Sequence, residues 1–207
     1  MSASYIAFEG PEGSGKSTQA ARLADALSAI LTRETGGTAI GARLREILHD
    51  TTVHDMSPRA EALIAAADRA QHLDEIVRPA LAAGRTVVSD RSIYSTLAYQ
   101  GFGRELDVDE LRTINAWATG GTWPDLVVLI DPPDDVIAQR MSERELDRFE
   151  AAGAAFHDRV IAGFRTMAAG DPDRWIVVEG LGSIDEVGDD IAARLAQRGV
   201  RIEGGRR

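Results

Sequence analysis

Short apolar runs of strand length alternate along this chain with longer segments in which apolar residues recur at helical spacing. The apolar runs predict five strands, at residues 5–8, 29–32, 86–89, 126–130 and 175–178. The longer segments predict helices at residues 18–27, 40–49, 57–83, 107–120, 133–141 and 184–198, and in a stretch that ends near residue 169. Such alternation is typical of an α/β protein with a mostly parallel sheet.

Three local signals refine this pattern. Only Ser28 separates the first helix from the second strand, which is short for a helix-to-strand connection. Ser57 starts the long helix that follows it, and Pro79 predicts a kink in that helix. Asp107, with Glu110 three residues later, predicts a capped helix start. The length of 207 residues predicts one domain, which we expect to cover residues 1–207.

Composition narrows the possible classes of protein. Hydrophobic residues make up 44% and charged residues 27% of the chain, which excludes a wholly disordered protein. The absence of cysteine excludes disulfides, thiol catalysis and thiolate metal sites. No apolar run approaches the ~20 residues of a transmembrane helix, and the first residues lack a signal-peptide pattern, so we expect a cytoplasmic protein without a membrane partner. The net charge of -10 argues against a nucleic-acid partner, although arginines can still bind a small anion locally.

Residues 10–17 contain the most specific motif of the chain. They match the pattern G-x-x-x-x-G-K-[ST] at every fixed position, after a predicted strand and before a predicted helix. Such a loop turns backbone N–H groups toward phosphate oxygens, and the helix N-terminus adds a favourable dipole. Lys16 would reach the β- and γ-phosphates of a nucleotide, and Ser17 would hold Mg²⁺. Lys16 is also the only lysine of the chain, which a glycine-rich turn without a ligand does not explain.

Four arginines lie near predicted strand ends and helices and indicate a second anion site: Arg33, Arg45, Arg69 and Arg91. Asp90 and Arg91 end a buried strand, so they should lie beside the phosphate loop. There Asp90 could reach Mg²⁺ through water, and Arg91 could span the phosphates of two substrates. The plainer alternative is a solvated ion pair at Asp90 and Arg91, and an exposed helix position for Arg45.

Two further groups of residues point to nucleotides. Tyr99 and Gln100 lie in a polar, aromatic segment and could line a base pocket, although a lone tyrosine often lies in the core. Arg140, Arg144 and Arg148 are spaced by four residues and would share one helix face. They form either exposed ion pairs with the interleaved acids or a lid that brings cations to a transferring phosphoryl group.

Together these segments resemble the thymidylate kinase family, whose members phosphorylate dTMP with ATP. The resemblance extends over nearly the whole chain, through residues 8–18, 32–38, 66–72, 90–101 and 146–150. It implies a P-loop NTPase fold of the nucleoside monophosphate kinase type, with a parallel five-stranded sheet flanked by helices. It also implies one kinase domain with a lid segment at about 141–152, and a homodimer formed through the helix at 57–83 and the long helix after Asp90.

The resemblance assigns roles to the residues that match the family's motifs. Catalysis would depend on Lys16, Arg91, Arg144 and Arg148. The ATP-binding residues would be Gly10, Glu12, Gly13, Ser14, Gly15, Lys16, Ser17, Thr18 and Arg140. The dTMP-binding residues would be Glu12, Arg33, Arg45, Arg69, Arg91, Ser95, Thr96, Tyr99 and Gln100. Mg²⁺, the implied cofactor, would be held by Ser17 and Asp90.

The chain departs from the family's pattern at four residues and in one connection, since the link between the first helix and the second strand is several residues shorter than usual. Ala65 stands where the family usually has a phenylalanine or tyrosine that stacks on thymine, and Thr35 replaces a proline. Ser92 and Tyr94 replace an aromatic residue and an acid. The missing ring weakens the expected affinity for thymine unless another ring, such as Phe102 or Tyr94, takes its place.

Three functions remain open on the sequence alone. The first is phosphorylation of dTMP to dTDP. The second is the same reaction on another, modified pyrimidine monophosphate, which a larger pocket at Ala65 favours. The third is a P-loop switch that binds a nucleotide without transferring phosphate. The chain has no Asn-Lys-x-Asp guanine motif and carries a row of arginines that a switch does not need, so we expect a kinase.

Overall fold

Five parallel strands form the centre of the chain. In the computed structural model, which describes residues 3–141, 148–149, 152–200 and 202, they are β1 (Tyr5–Glu9), β2 (Ile30–Arg33), β3 (Val87–Asp90), β4 (Leu126–Ile130) and β5 (Trp175–Val178). Their order across the sheet is β2-β3-β1-β4-β5, and every neighbouring pair is parallel. The predicted five-stranded parallel sheet is confirmed.

Helices cover both faces of the sheet. They are α1 (Lys16–Ala26), α2 (Ala39–His49), α3 (Pro58–His72), α4 (Arg78–Ala82), α5 (Ile93–Thr96), α6 (Val108–Thr119), α7 (Asp134–Met141), α8 (Ala154–Gly170) and α9 (Ile184–Gln197). Two π-helical segments, Leu73–Val77 and Leu97–Gly103, continue α3 and α5. Asp107 accepts hydrogen bonds from the N–H groups of Asp109 and Glu110, so the predicted cap of α6 is confirmed. Within the described residues, no helix combines the length and the apolarity that a bilayer span needs.

Apolar side chains fill the space between the sheet and both helical layers. On one face Phe8, Val128 and Leu195 belong to a cluster that includes residues of α1 and α9. On the other face Leu129 and Phe164 belong to a cluster that includes residues of α5, α6 and α8. Each such side chain contributes roughly 1.5–3 kcal/mol when it is fully buried. Burial on both faces also explains why the central strands read as continuous apolar runs instead of alternating ones.

The short connection between α1 and β2 closes through a left-handed residue. Ser28 has φ 50°, and the N–H of Ala29 donates to the carbonyl of Ala24 at 2.8 Å. This bond spans five residues and is the usual way in which a left-handed residue ends a helix. The chain therefore reverses direction within residues 27–29, and β2 begins one residue later than predicted.

The predicted kink at Pro79 takes the form of a wider helical turn before the proline. Residues Leu73–Val77 are π-helical, and the N–H of Arg78 donates to the carbonyl of Leu73. Proline has no N–H, so the regular bond to the carbonyl of Glu75, four residues back, cannot form. The widened turn lets the helical path continue into α4 despite that loss.

The carboxyl ends of the strands meet at one edge of the sheet. The glycine-rich loop follows β1, Glu34 follows β2, and Arg91 follows β3. β1 lies between β3 and β4, where the connections leave the sheet in opposite directions. Ligands of open α/β sheets bind outside the strand ends at such a point, because loops diverge there and leave a crevice.

Candidate active site

The loop between β1 and α1 folds around its own lysine. Gly15 precedes the helix with φ 96°. A Cβ atom on Gly10, whose φ is 140°, would lie 2.3 Å from a carbonyl oxygen at the end of β4, so only glycine fits there. Lys16 is buried, and its Nζ donates to the carbonyl of Pro11 at 2.6 Å. Burial and the nearby charge of Arg91 lower the pKa of Lys16 to about 8.

One cavity of about 490 Å³ joins Lys16 to Arg91 at the carboxyl ends of the strands. This volume lies in the range of small-molecule sites. Gly10 and Ser14 belong to the loop but do not line the cavity. The other predicted residues in the lining are Glu12, Gly13, Gly15, Ser17, Thr18, Arg33, Arg45, Arg69, Asp90, Ser95, Thr96, Tyr99 and Gln100. The structure therefore brings the two predicted anion sites into one space.

Arg91 connects the glycine-rich loop to the helical segment after β3. Its guanidinium forms an ion pair with Glu12 and donates to Ser95 Oγ at 2.9 Å and to the Tyr99 hydroxyl at 3.2 Å. It also lies over the Tyr99 ring, 5.1 Å from the centroid. Burial works to raise the pKa of Glu12, but Arg91 and Lys16 outweigh it and hold that pKa well below its usual range. The cavity thus holds a fixed cation beside a carboxylate that stays ionised.

Glu9, the last residue of β1, holds the segment that follows Arg91. Its carboxylate accepts hydrogen bonds from the N–H and hydroxyl of Ser92, at 2.8 and 2.7 Å, and from the hydroxyl of Ser95 at 2.6 Å. Ser92 also caps the N-terminus of α5. Burial raises the pKa of Glu9 to about 7, against the lowering effect of Arg91. The small hydroxyl residue at position 92 therefore links the end of β1 to the start of α5.

Arg69 on α3 is held at the cavity wall by a buried network. It is 2% exposed, and its guanidinium donates to Glu34 at 2.8 Å, to Thr96 Oγ at 3.1 Å and to Asn115. Burial works to raise the pKa of Glu34, but Arg69 and His72 outweigh it and lower that pKa. A buried charge is stable only with such partners, and together they fix the orientation of the Arg69 guanidinium.

Asp90 and Ser17 form a pair that suits Mg²⁺. Ser17 Oγ donates to Asp90 Oδ2 at 2.5 Å. The other carboxylate oxygen of Asp90 is buried and has no hydrogen-bond partner among the described residues. Mg²⁺ prefers oxygen ligands, and it commonly takes one or two carboxylates together with waters and substrate phosphates. The orphaned oxygen and the hydroxyl beside the glycine-rich loop therefore fit this ion.

The two members of the predicted arginine row that the structure describes, Arg140 and Arg148, do not line the cavity. Arg140 is exposed on α7 and donates to the carbonyl of Gly13 at 3.1 Å. Arg148 lies against Glu61 instead, with 2.7 Å between Nη1 and Oε2. The buried carboxylate attracts this guanidinium away from the phosphate end, so a role of Arg148 in catalysis stays a prediction. Arg144 and most of the predicted lid at 141–152 lie outside the described residues.

Comparisons with known proteins connect this geometry to a family. The family model described as thymidylate kinase matches residues 8–191. A curated thymidylate kinase from an Exiguobacterium species is 43% identical over 211 residues, which cover 97% of this chain and 100% of that protein. A second, from Desulforudis audaxviator, is 46% identical over 184 residues, which cover 86% of this chain and 83% of that protein. The chain belongs to the thymidylate kinase family.

A solved structure supports the same assignment at the level of the fold. The crystal structure of thymidylate kinase from Ehrlichia chaffeensis is similar to this chain with a TM-score of 0.78 and 30% sequence identity. The similarity covers 95% of this chain and 100% of that chain. The predicted P-loop fold of the nucleoside monophosphate kinase type is therefore confirmed for this member of the thymidylate kinase family.

A tyrosine ring and a phenylalanine ring line the cavity of this thymidylate kinase family member, that of Tyr99, which we predict from the sequence, and that of Phe149. Ala65 lines the cavity, as do the rings of Tyr99 and Phe149, whose centroids lie 5.8 Å apart in an edge-on contact. Tyr94 and Phe102 belong to or pack against the apolar cluster that α8 forms with the sheet. Neither Tyr94 nor Phe102, the two examples of a substitute ring that the sequence offers, lines the cavity, because both rings are used for core packing.

Besides Ala65, six residues that line the cavity are missing from the residues predicted for the site. They are Glu34, Thr35, Leu48, His49, Ser92 and Phe149. Leu48 and His49 end α2, and nothing in their local pattern indicates that this helix end points at the loop after β1. Adjacency to a predicted arginine was a usable signal for the other four, since Glu34 and Thr35 follow Arg33, Ser92 follows Arg91 and Phe149 follows Arg148.

The buried carboxyl of Glu9 predicts a specific pH dependence of stability. Its pKa is about 7 in the folded chain against an ordinary value of 4.5, so between these values the folded state binds more protons than the unfolded state. By linkage, the contribution of Glu9 to the free energy of unfolding is fully present below pH 4.5 and is lost as the pH rises through 7. We expect Glu9→Gln, which stays neutral, to lack this loss.

The free energy of unfolding is measured with urea at about pH 5 and about pH 7.5, because the titration of Glu9 changes stability between these values. Relative to the unsubstituted chain, Glu9→Gln should gain stability at the higher pH. Glu110→Gln, whose side chain is 67% exposed, is the matched control and should show no such gain. An identical difference between Glu9→Gln and the unsubstituted chain at both pH values would contradict the assignment.

Proposed function

We propose that this chain transfers the γ-phosphoryl group of ATP to dTMP, giving ADP and dTDP. The single observation that carries the proposal is the cavity that Lys16 and Arg91 share, because it lets two phosphate-bearing substrates meet. Membership of the thymidylate kinase family supports the choice of ATP and dTMP.

The reaction needs positioning and charge neutralisation more than covalent chemistry by the protein. An oxygen of the dTMP phosphate attacks the γ-phosphorus in line, and the bond from this phosphorus to the bridging oxygen of ADP breaks. The attacking oxygen is already anionic, so no general base is required. The backbone of the loop at residues 10–17 and the Lys16 ammonium hold the ATP phosphates, while Arg91 draws the acceptor phosphate toward them.

Ser17 and Asp90 would hold Mg²⁺, with Asp90 acting through water. When bound, the ion neutralises charge on the β- and γ-phosphates. Independently of it, Ser17 and Asp90 already hold each other in place at the start of α1.

The other predicted residues divide between the two substrates. Arg33 and Arg45 would join Arg91 around the acceptor phosphate, and Glu12 would approach the 3′-hydroxyl of the deoxyribose. The nucleoside would lie against Arg69, Ser95, Thr96, Tyr99 and Gln100, all of which line the cavity. Arg140 would lie over the adenine of ATP, and Arg144 and Arg148 would assist the transferring group.

A second candidate substrate is a pyrimidine monophosphate with a bulky substituent. The observation that favours it is Ala65, a small side chain in the cavity wall. The same transfer chemistry would apply, since Lys16 and Arg91 would hold the phosphates of either substrate.

A substrate panel tests the function directly. Coupled ADP release is measured with dTMP, dUMP, dCMP, dGMP, dAMP and a bulky 5-substituted dUMP. We expect the highest kcat/KM with dTMP. Better turnover of the substituted dUMP would replace dTMP by the second candidate, and ATP binding without turnover of any monophosphate would leave a nucleotide-binding switch.

Removal of either central cation should abolish most of the turnover. We expect Lys16→Ala and Arg91→Ala each to lower kcat by about 10³ or more, the amount that such cations supply in phosphoryl transfer. Arg194→Ala, on α9 and paired only with Asp190 among the described residues, is a matched control with unchanged kcat. Retention of more than about a tenth of kcat in Arg91→Ala would contradict its role in the transfer step.

We also propose that the chain acts as a single kinase domain in the cytoplasm and forms a homodimer. Leu63 on α3 and Trp117 on α6 support the dimer, because these large apolar side chains are 55% and 86% exposed. Sedimentation velocity should show a species of twice the chain mass, and Trp117→Glu should shift it toward the monomer. A monomer for the unsubstituted chain at micromolar concentration would overturn the proposal.

A further inference from the structure

A buried carboxylate that the proposed reaction does not use lies just outside the cavity. Glu61 on α3 is 1% exposed. Its Oε1 accepts a hydrogen bond from Gln100 Nε2 at 2.8 Å and one from Arg104 Nε at 3.3 Å. Its Oε2 accepts a hydrogen bond from Arg104 Nη2 at 3.2 Å and forms an ion pair with Arg148 Nη1 at 2.7 Å. One carboxylate thus meets two guanidiniums and one cavity-lining amide.

The two arginines keep the Glu61 carboxylate in place. An unpaired buried carboxylate would be very costly, whereas a carboxylate between two guanidiniums is compensated. Arg104 is itself fixed, because its guanidinium lies over the Phe156 ring at 4.6 Å from the centroid. Glu61 therefore cannot turn away from Gln100 without leaving charges unpaired.

This arrangement determines which end of the Gln100 amide faces the cavity. An ionised carboxylate has only acceptors, so the amide must turn its NH₂ group, which has only donors, toward Glu61. The carbonyl oxygen of the amide is then the polar atom that is left to face the cavity. Gln100 lines the cavity, and this side-chain oxygen accepts no hydrogen bond from any described residue. The cavity is thus offered an acceptor at this position and not a donor.

We propose that Glu61 is a positioning residue that selects the base by fixing the amide orientation of Gln100. This inference rests on the proposed function and deepens it. A base with an N–H at the matching edge position, such as N3–H of thymine or uracil, can donate to the Gln100 oxygen. Cytosine has an acceptor at N3, so two acceptors would face each other and one would be left unpaired. Glu61 thereby favours dTMP over dCMP without touching either.

The test is the ratio of kcat/KM for dTMP to that for dCMP. Glu61→Gln keeps the shape of the side chain but can donate as well as accept, so the Gln100 amide is free to reverse. We expect the ratio to fall about tenfold or more, the effect of one lost or mismatched hydrogen bond. The fall should appear mainly in KM, because the phosphate groups and their ligands are unchanged. Glu110→Gln is the control and should keep the ratio.

A second variant keeps the proposal testable if Glu61→Gln does not fold. Gln100→Leu leaves Glu61 with both arginines and removes the amide that we take to face the base. It should lower the same ratio, and the double variant should lower it no further than Gln100→Leu alone.

Each outcome separates this inference from the proposed function. An unchanged ratio in Glu61→Gln, with only a lower melting temperature, would mean that the cluster is merely structural and would overturn the inference. An unchanged ratio in Gln100→Leu would overturn it as well. Failure of the unsubstituted chain to phosphorylate any pyrimidine monophosphate would instead remove the proposed function itself.

Discussion

The ion pair between Arg91 and Glu12 is the interaction on which the arrangement of the cavity depends. Sheet register makes it possible, because Phe8 of β1 lies beside Asp90 of β3 and the chain leaves both strands at the same level. Glu12 then belongs to the loop that turns around Lys16, while Arg91 begins the path toward α5. Their opposite charges bring these two paths together, and the cavity forms where they meet.

Buried charges make the walls of this cavity stiff. Glu9, Glu34 and Glu61 are each nearly inaccessible, and each is satisfied by groups from another element: serines after β3, Arg69 on α3, and arginines after α5 and before α8. Removing one partner of a buried pair costs about 3–5 kcal/mol, so the side chains that face the cavity cannot rearrange cheaply. Such stiffness suits a reaction in which positioning supplies most of the rate.

The phosphate-loop half of the site could be predicted because its chemistry is local. The spacing of Gly10, Gly15 and Lys16 defines a loop, and strand order places Arg91 beside it. The base-binding half was predictable only in part. Tyr99 and Gln100 line the cavity as expected, whereas Tyr94 and Phe102, offered as examples of a ring in place of the one absent at position 65, lie in the core. A ring is equally apolar in a core and in a pocket, so its destination depends on which neighbours pack against it.

Local sequence accounts for the strands, the glycine-rich loop and the set of cations available to bind phosphate. These follow from periodicity, backbone conformational freedom and charge, which residues close in the chain already express. Only the tertiary structure decided that Phe149 borders the cavity, that Arg148 meets Glu61, and that Glu61 holds Gln100 across 39 positions of sequence. Such contacts depend on how α2, α3 and α8 cross the sheet, and no local pattern records the direction in which a helix approaches its neighbours.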